Sequence, residues 1–216
     1  MGMNRTYAVF GLGRYGMAIA KELVNNGAEV LAVDMDENVV NAASVDIPFC
    51  KCADITDAEV IEQLGIGNID VVVIATANNL EASVMATMLC KEAGVKTVIA
   101  KCADEMQQKI LTKVGADQVM FPESESGTRL ARNLISSGFM DIIDLSDDVS
   151  MVELSVRQEW AGQNLLQLNL RRKYGINVVA VCQGEDVNIN IDPEKPLETS
   201  MKLIVIAHTS ELNKLK

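Results

Sequence analysis

Gly11, Gly13 and Gly16 in "GLGRYG" stand at the G-x-G-x-x-G spacing, with an arginine, Arg14, inside the turn. The apolar run "YAVF" precedes them, and "GMAIAKELVNNG" follows with apolar residues at helical spacing. A strand before and a helix after turn a weak motif into a strong one. Gly11 permits the tight turn, Gly13 lets the backbone approach a diphosphate, and Gly16 lets the helix pack on the sheet. The helix start offers unpaired N–H groups and a partial positive charge to phosphate. Asp34 lies 18 residues past Gly16, at the end of the next apolar run. A carboxylate there takes ribose hydroxyls, and it disfavours a 2′-phosphate, hence NADP. The chemistry to expect is nucleotide binding.

Further candidates follow from the ends of later apolar runs. Asp36 and Asn38 lie just beyond Asp34, where they either help hold the ribose or cap and solvate a helix. Asp54 in "CADITD" sits where the adenine rim is expected, and Ala75, Thr76 and Asn78 in "IATANN" face the crevice outside the strand ends. Turn chemistry or helix capping is the alternative for each polar residue in this group.

These residues need a scaffold, and the alternation of runs supplies one. "YAVFG", "AEVLAVD", "PFCKC", "IDVVVIAT", "KTVIAKC" and "DQVMF" read as six strands, with helical segments between them. The helix after the first strand carries Ile19, Leu23 and Val24 on one face and stops at Gly27. The third helix starts at Thr56 or Asp57, and near-continuous apolar strands such as Val71 to Ala75 imply burial on both faces. The fold class is α/β, a Rossmann-like doubly wound parallel sheet. From "PESESGTRLARNLISSGFMD" the pattern changes. Leu130, Leu134 and Ile135 form a helical stripe, read as a connector helix. "DIIDL", "VSMVELSV", "NVVAVCQ", "EDVNIN" and "SMKLIVIAHT" read as strands, and "NLLQLNLRRKYG" as one helix closed by Gly175. This gives a small α+β domain, marginal alone for its size and helped by pairing with a second copy.

Composition narrows the function. Hydrophobic residues are 49% and charged residues 23% of the chain, enough for a packed core and against disorder. A net charge of -11 argues against DNA or RNA as a partner, which requires a basic face. Cys50 and Cys52 form C-x-C without a second pair at zinc spacing, and His208 is the sole histidine, so a zinc site is not expected. Five cysteines without a leader pattern set the expectation of a reducing cytosol. No apolar run approaches the ~20 residues of a membrane-spanning helix. A dehydrogenase needs a proton-transfer residue beside its cofactor. The only histidine lies far along the chain, and the segment after the sheet holds no Ser-His-Asp, Cys-His or metal pattern. Sensing is therefore expected before catalysis, and the chain is read as no enzyme.

"VFGLGRYGMAIAKEL", Asp34, "CADITD", "VVVIAT", "FPE" at Phe121 to Glu123, and "NLRRKYGINVVAV" followed by "MKLIVIAH" together resemble the cytosolic RCK subunits of bacterial Ktr/Trk potassium-uptake systems, the KtrA type above all. The resemblance spans nearly the whole chain. It implies a nucleotide-binding half with the connector helix at residues 4–137 and an RCK C-terminal half at residues 140–216. It implies a cytoplasmic homodimer that assembles to a homo-octameric ring. The ring docks on a membrane potassium-translocating subunit, peripheral to the inner face of the membrane, and ATP/ADP exchange changes its shape. Arg14 then senses the terminal phosphate of ATP, in part across the dimer interface, unless it is only a solvated turn residue. Tyr15 and Lys101 join the nucleotide contacts. Glu123 helps hold a divalent cation, Mg²⁺ or Ca²⁺, or else serves as an N-terminal helix charge. Cyclic di-AMP is a candidate second ligand in the C-terminal half, at Arg171, Asn177, Val178 and Pro193. Arg172 competes with Arg171 for that role, and a capped helix feeding a strand is the alternative. The runner-up functions are an NAD(H)-responsive regulator of the same build and a small NAD-dependent oxidoreductase.

Overall fold

Runs of branched apolar residues favour strands that can be buried on both faces. In the computed structural model, which describes residues 5–76, 79–135, 139–146 and 148–212, each early run is a strand followed by a helix. In order these are β1 (Thr6–Phe10), α1 (Arg14–Asn25), β2 (Glu29–Asp34), α2 (Glu37–Ala43), β3 (Phe49–Cys52) and α3 (Ala58–Gln63). Then come β4 (Val71–Ile74), α4 (Leu80–Glu92), β5 (Thr97–Lys101), α5 (Glu105–Val114), β6 (Gln118–Met120) and α6 (Pro122–Ile135). The six strands pair in parallel in the order β3-β2-β1-β4-β5-β6, as a doubly wound sheet requires. The order reverses between β1 and β4, and ligands of such sheets bind outside the carboxyl ends of the strands at that point.

Alternate residues of each strand feed two cores. Ala8, Phe10, Val72 and Ile74 pack with Ile61, Leu89 and Leu111 from one set of helices. Val9, Val30, Ala32 and Val73 pack with Ala20 and Ala43 on the other face, joined by Ile19, Leu23 and Val24 of α1. Short polar side chains start the helices: Asp36, Asp57, Asn79 and Asp104 each accept a backbone N–H from the first turn. Asp57, rather than Thr56, therefore caps α3. After α1, Gly27 adopts φ 79°, and Ala28 N–H reaches back to the Leu23 carbonyl.

The chain divides into two compact units, Met1–Ser124 and Glu125–Lys216, and the division falls inside α6. On α6, Leu130 and Leu134 are exposed, so two members of the expected apolar stripe point to solvent in the single chain. The second unit contains β7 (Phe139–Asp144), β8 (Val149–Ser155), α7 (Leu165–Leu168), α8 (Leu170–Tyr174), β9 (Asn177–Gln183), β10 (Asp186–Asn188), β11 (Met201–His208) and α9 (Thr209–Leu212). Its strands pair antiparallel in the order β10-β9-β11-β8-β7. One face carries the core, with Val152, Leu154, Leu203 and Val205 against Trp160, Leu168, Leu170 and Ile176.

One element departs from expectation. The single helix expected over "NLLQLNLRRKYG" is two, α7 and α8, broken at Asn169 with φ 46° and ψ 49°. In a continuous helix, side chains two residues apart diverge by roughly 200°. Leu168 and Leu170 are nonetheless both buried in one core, each 3% exposed. The left-handed turn allows this, and asparagine tolerates that conformation better than most residues do.

Candidate functional site

The glycine turn is built as the motif requires. Gly11 has φ 85°, and a side chain added there would meet the Thr76 methyl at 2.6 Å. At Gly16 an added Cβ would run into the Gly11 carbonyl oxygen and lie 3.1 Å from the Ala75 Cβ. Nothing lies within 4 Å of the corresponding position at Gly13, which is exposed. Gly11 and Gly16 are therefore fixed by packing inside the protein, whereas Gly13 leaves the approach to the turn open. The turn is also tied to its neighbours: Gly11 N–H donates to the Val33 carbonyl at 2.8 Å, and Ala75 N–H donates to the Phe10 carbonyl at 2.7 Å.

Asp34 ends β2 facing this turn. Leu12 N–H donates to its Oδ2 at 2.6 Å, and Asp36 N–H donates to its Oδ1 at 3.0 Å. The carboxylate thus clamps the glycine turn, and each oxygen keeps a second lone pair for a ligand hydroxyl. Gly11, Asp34, Asp54 and Thr76 line one cavity of about 410 Å³, with Met35 and Met85 among its apolar walls. Asp54 accepts from Thr56 twice, from the hydroxyl at 2.7 Å and from the backbone N–H at 2.9 Å, and these bonds hold its pKa below the usual carboxylate value. Thr76 Oγ1 lies 3.1 Å from Ser83 Oγ, a buried hydroxyl of α4. Asp36 caps α2 by accepting from Asn38 N–H at 2.9 Å, and neither residue lines the cavity. Asn78 lies outside the described residues.

A second group gathers at the start of α1 and the end of β5. Arg14 is the first residue of α1, exposed, and its guanidinium makes no hydrogen bond or ion pair to the described residues. The first turn of α1 contains no acidic residue. Lys101 Nζ lies 5.5 Å from the Tyr15 ring centroid and 2.6 Å from Glu123 Oε1. The hydrogen bond from Lys101 leads the causes that lower the Glu123 pKa, and the Arg14 charge adds to them. The four residues expected from separate stretches of sequence thus share one electrostatic neighbourhood.

Glu123 is already engaged within the chain. One of its oxygens holds an ammonium, and among the described residues no group of three or more His, Cys, Asp or Glu is placed to hold a metal ion. Cys50 and Cys52 are free thiols on β3, and His208 is exposed at the end of β11 with Nδ1 3.4 Å from Asp148 Oδ2. No helix among the described residues is long and apolar enough to cross a membrane.

In the second unit Arg171 lies on α8, Asn177 opens β9, and Pro193 lies in the loop before β11, all three exposed. Val178 packs against the core. A cavity of about 330 Å³ in this unit is lined by other residues, Leu165, Gln183, Asp186 and Lys195 among them. Sequence reading left out several residues that line the 410 Å³ cavity. Ile55 and Thr56 adjoin Asp54 in "CADITD" and could have been taken with it. Met85 lies inside α4, where no local pattern marks it.

Residues 7–122 match the TrkA-N domain and residues 149–216 the TrkA-C domain. The chain is 36% identical to Ktr system potassium uptake protein C of Bacillus subtilis (strain 168), over 99% of this chain and 97% of that protein. It is 35% identical to Ktr system potassium uptake protein A of Vibrio alginolyticus, again over 99% and 97%. Among solved structures, the GsuK channel bound to NAD matches with a TM-score of 0.68 at 15% identity, covering 98% of this chain. The chain spans 38% of that channel's own chain, and the likeness is one of fold.

Proposed function

Because the chain belongs to the Ktr/Trk potassium-uptake family and carries its TrkA-N and TrkA-C domains in order, we propose that it is a nucleotide-sensing subunit that gates a membrane potassium transporter. The observation that carries the nucleotide reading is the division of labour around the glycine turn. On one side lies a cavity with apolar walls and the Asp34 carboxylate, suited to a nucleoside. On the other stand two cations, Arg14 and Lys101, beside the start of α1. A cation on the first residue of a helix opposes the partial positive charge there, and an anionic phosphate tail removes the conflict. The preferred ligands are ATP and ADP, with the terminal phosphate of ATP paired to Arg14. The two then differ in free energy between conformations, as any ligand-driven switch requires.

In this reading the protein performs no catalysis. It is cytoplasmic, assembles as homodimers into a homo-octameric ring, and reaches the membrane only through the potassium-translocating subunit. A divalent cation at Glu123 needs carboxylates from a second copy. Cyclic di-AMP is a candidate ligand of the C-terminal unit at Arg171, Asn177, Val178 and Pro193, at a site completed by a second copy.

Titration calorimetry with ATP, ADP, NADH and cyclic di-AMP tests the reading. Arg14→Ala should weaken ATP by roughly tenfold to a hundredfold, the worth of one hydrogen bond between charged groups, and ADP much less. Tight NADH binding with none for ATP overturns the assignment, and equal losses for ATP and ADP remove Arg14 as the sensor. A stable monomer at micromolar concentration on a sizing column overturns the ring.

A further inference from the structure

We propose that Glu123 is a resident competitor of the nucleotide's phosphate tail, holding the Lys101 ammonium until terminal phosphates displace it. The inference rests on the nucleotide reading above and concerns which anion Lys101 faces in each state.

The two partners of this pair differ in what they lose by separating. The Lys101 side chain is 14% exposed, whereas that of Glu123 is 65% exposed. A mostly buried ammonium needs a counter-charge nearby, because water cannot take the place of its partner. An exposed carboxylate can leave for solvent at little cost. The carboxylate is therefore the partner that moves, and the lysine stays beside Tyr15 at the end of β5. A phosphate tail crossing the start of α1 meets Lys101 already occupied, and must supply an anion better than Glu123. A terminal phosphate does so, since it carries more charge and more acceptor oxygens than a carboxylate.

The position of Glu123 gives this exchange a consequence. It is the second residue of α6, so the freed carboxylate remains at the positive end of a helix. In α6 the chain also passes from one compact unit to the next. The phosphate state of the ligand is thus converted into the presence or absence of a tether at the first turn of the connecting helix. A nucleoside monophosphate, lacking the tail, leaves the tether in place.

The test is calorimetry of the full chain with ATP and AMP, in EDTA so that no cation bound by Glu123 offsets the effect. Glu123→Gln should bind ATP about two- to fivefold tighter, the range of an exposed ion pair no longer competing, and AMP as the unaltered protein does. Glu123→Ala, which also removes the anion, should do the same. In a Lys101→Met background, Glu123→Gln should bring no gain. Unchanged or weaker ATP binding by both Glu123 variants overturns the proposal, and so does an equal gain without Lys101. If the unaltered chain binds none of ATP, ADP or NADH, the nucleotide reading itself falls. If it binds ATP but the Glu123 variants show no gain, only the competitor role does.

Discussion

Asp34 offers the sharpest test of how the site is built, because its two oxygens have unequal structural duties. Oδ2 accepts the Leu12 N–H at 2.6 Å, and Leu12 is 3% exposed. Oδ1 accepts the Asp36 N–H at 3.0 Å, and Asp36 is exposed. Asp34→Ala strands the Leu12 donor away from water, which costs about 1–3 kcal/mol for an unsatisfied buried group. Asp34→Asn can turn its carbonyl oxygen toward Leu12 and leave Asp36 to water. It loses mainly the charge on the acceptor, on the order of 1 kcal/mol. Urea unfolding followed by far-UV circular dichroism measures the difference. With a slope of about 1–3 kcal/mol per molar urea, Asp34→Ala should lower the midpoint by roughly 1 M and Asp34→Asn by about half that. Trp160 is the only tryptophan and is buried in the second unit, so its fluorescence reports on that unit separately. Both variants should also lose nucleotide affinity, because neither keeps a carboxylate for ribose hydroxyls. Equal midpoints for the two variants, or an unmoved dichroism transition, would refute the claim that Asp34 clamps the glycine turn.

Two further substitutions probe the turn and the broken helix. Gly16→Ala places a methyl group against the Gly11 carbonyl and the Ala75 side chain, so it should destabilise by about 1–3 kcal/mol. Gly13→Ala enters open space at φ -63° and should leave the urea midpoint nearly unchanged while weakening ATP; matching stability losses at both glycines would contradict this division. Asn169→Ala forces a left-handed backbone on a residue that disfavours it, at about 1 kcal/mol. Asn169→Gly should avoid that penalty, with Trp160 fluorescence in urea as the readout.

The parts of the fold readable from sequence were those set by local pattern. Apolar runs such as Val71–Ile74, glycine stops such as Gly27 and Gly175, and a cap at Thr56 or Asp57 fix element type without reference to distant residues. The break at Asn169 escaped because "LLQLNLRRKY" is made mostly of good helix formers. Only the joint burial of Leu168 and Leu170 under the second sheet decides against one helix, and that is a tertiary effect. The site divides in the same way. Asp34 was found from its place at a strand end, but its bond to Leu12 joins residues 22 apart, and the Lys101–Glu123 pair spans the same separation. Spacing named Asp34 and the family resemblance named Lys101 and Glu123; which of them hold one another follows from the order of the strands.

On the nucleotide reading proposed above, that order puts discrimination between ligands outside the cavity. ATP, ADP and NADH share an adenosine moiety, so a cavity lined by Asp34, Asp54 and Thr76 treats them nearly alike. They differ in the number and termination of their phosphates, and on the proposed reading those groups pass the glycine turn toward α1 and β5. There the descriptors of charge are Arg14, exposed and without an acidic partner in its helical turn, and Lys101, engaged by Glu123. On the competition proposed above, each added terminal phosphate offers these cations a stronger anion than the carboxylate. Selectivity should therefore respond to Arg14, Lys101 and Glu123 and be nearly indifferent to changes in the cavity walls, even where those changes weaken every ligand together.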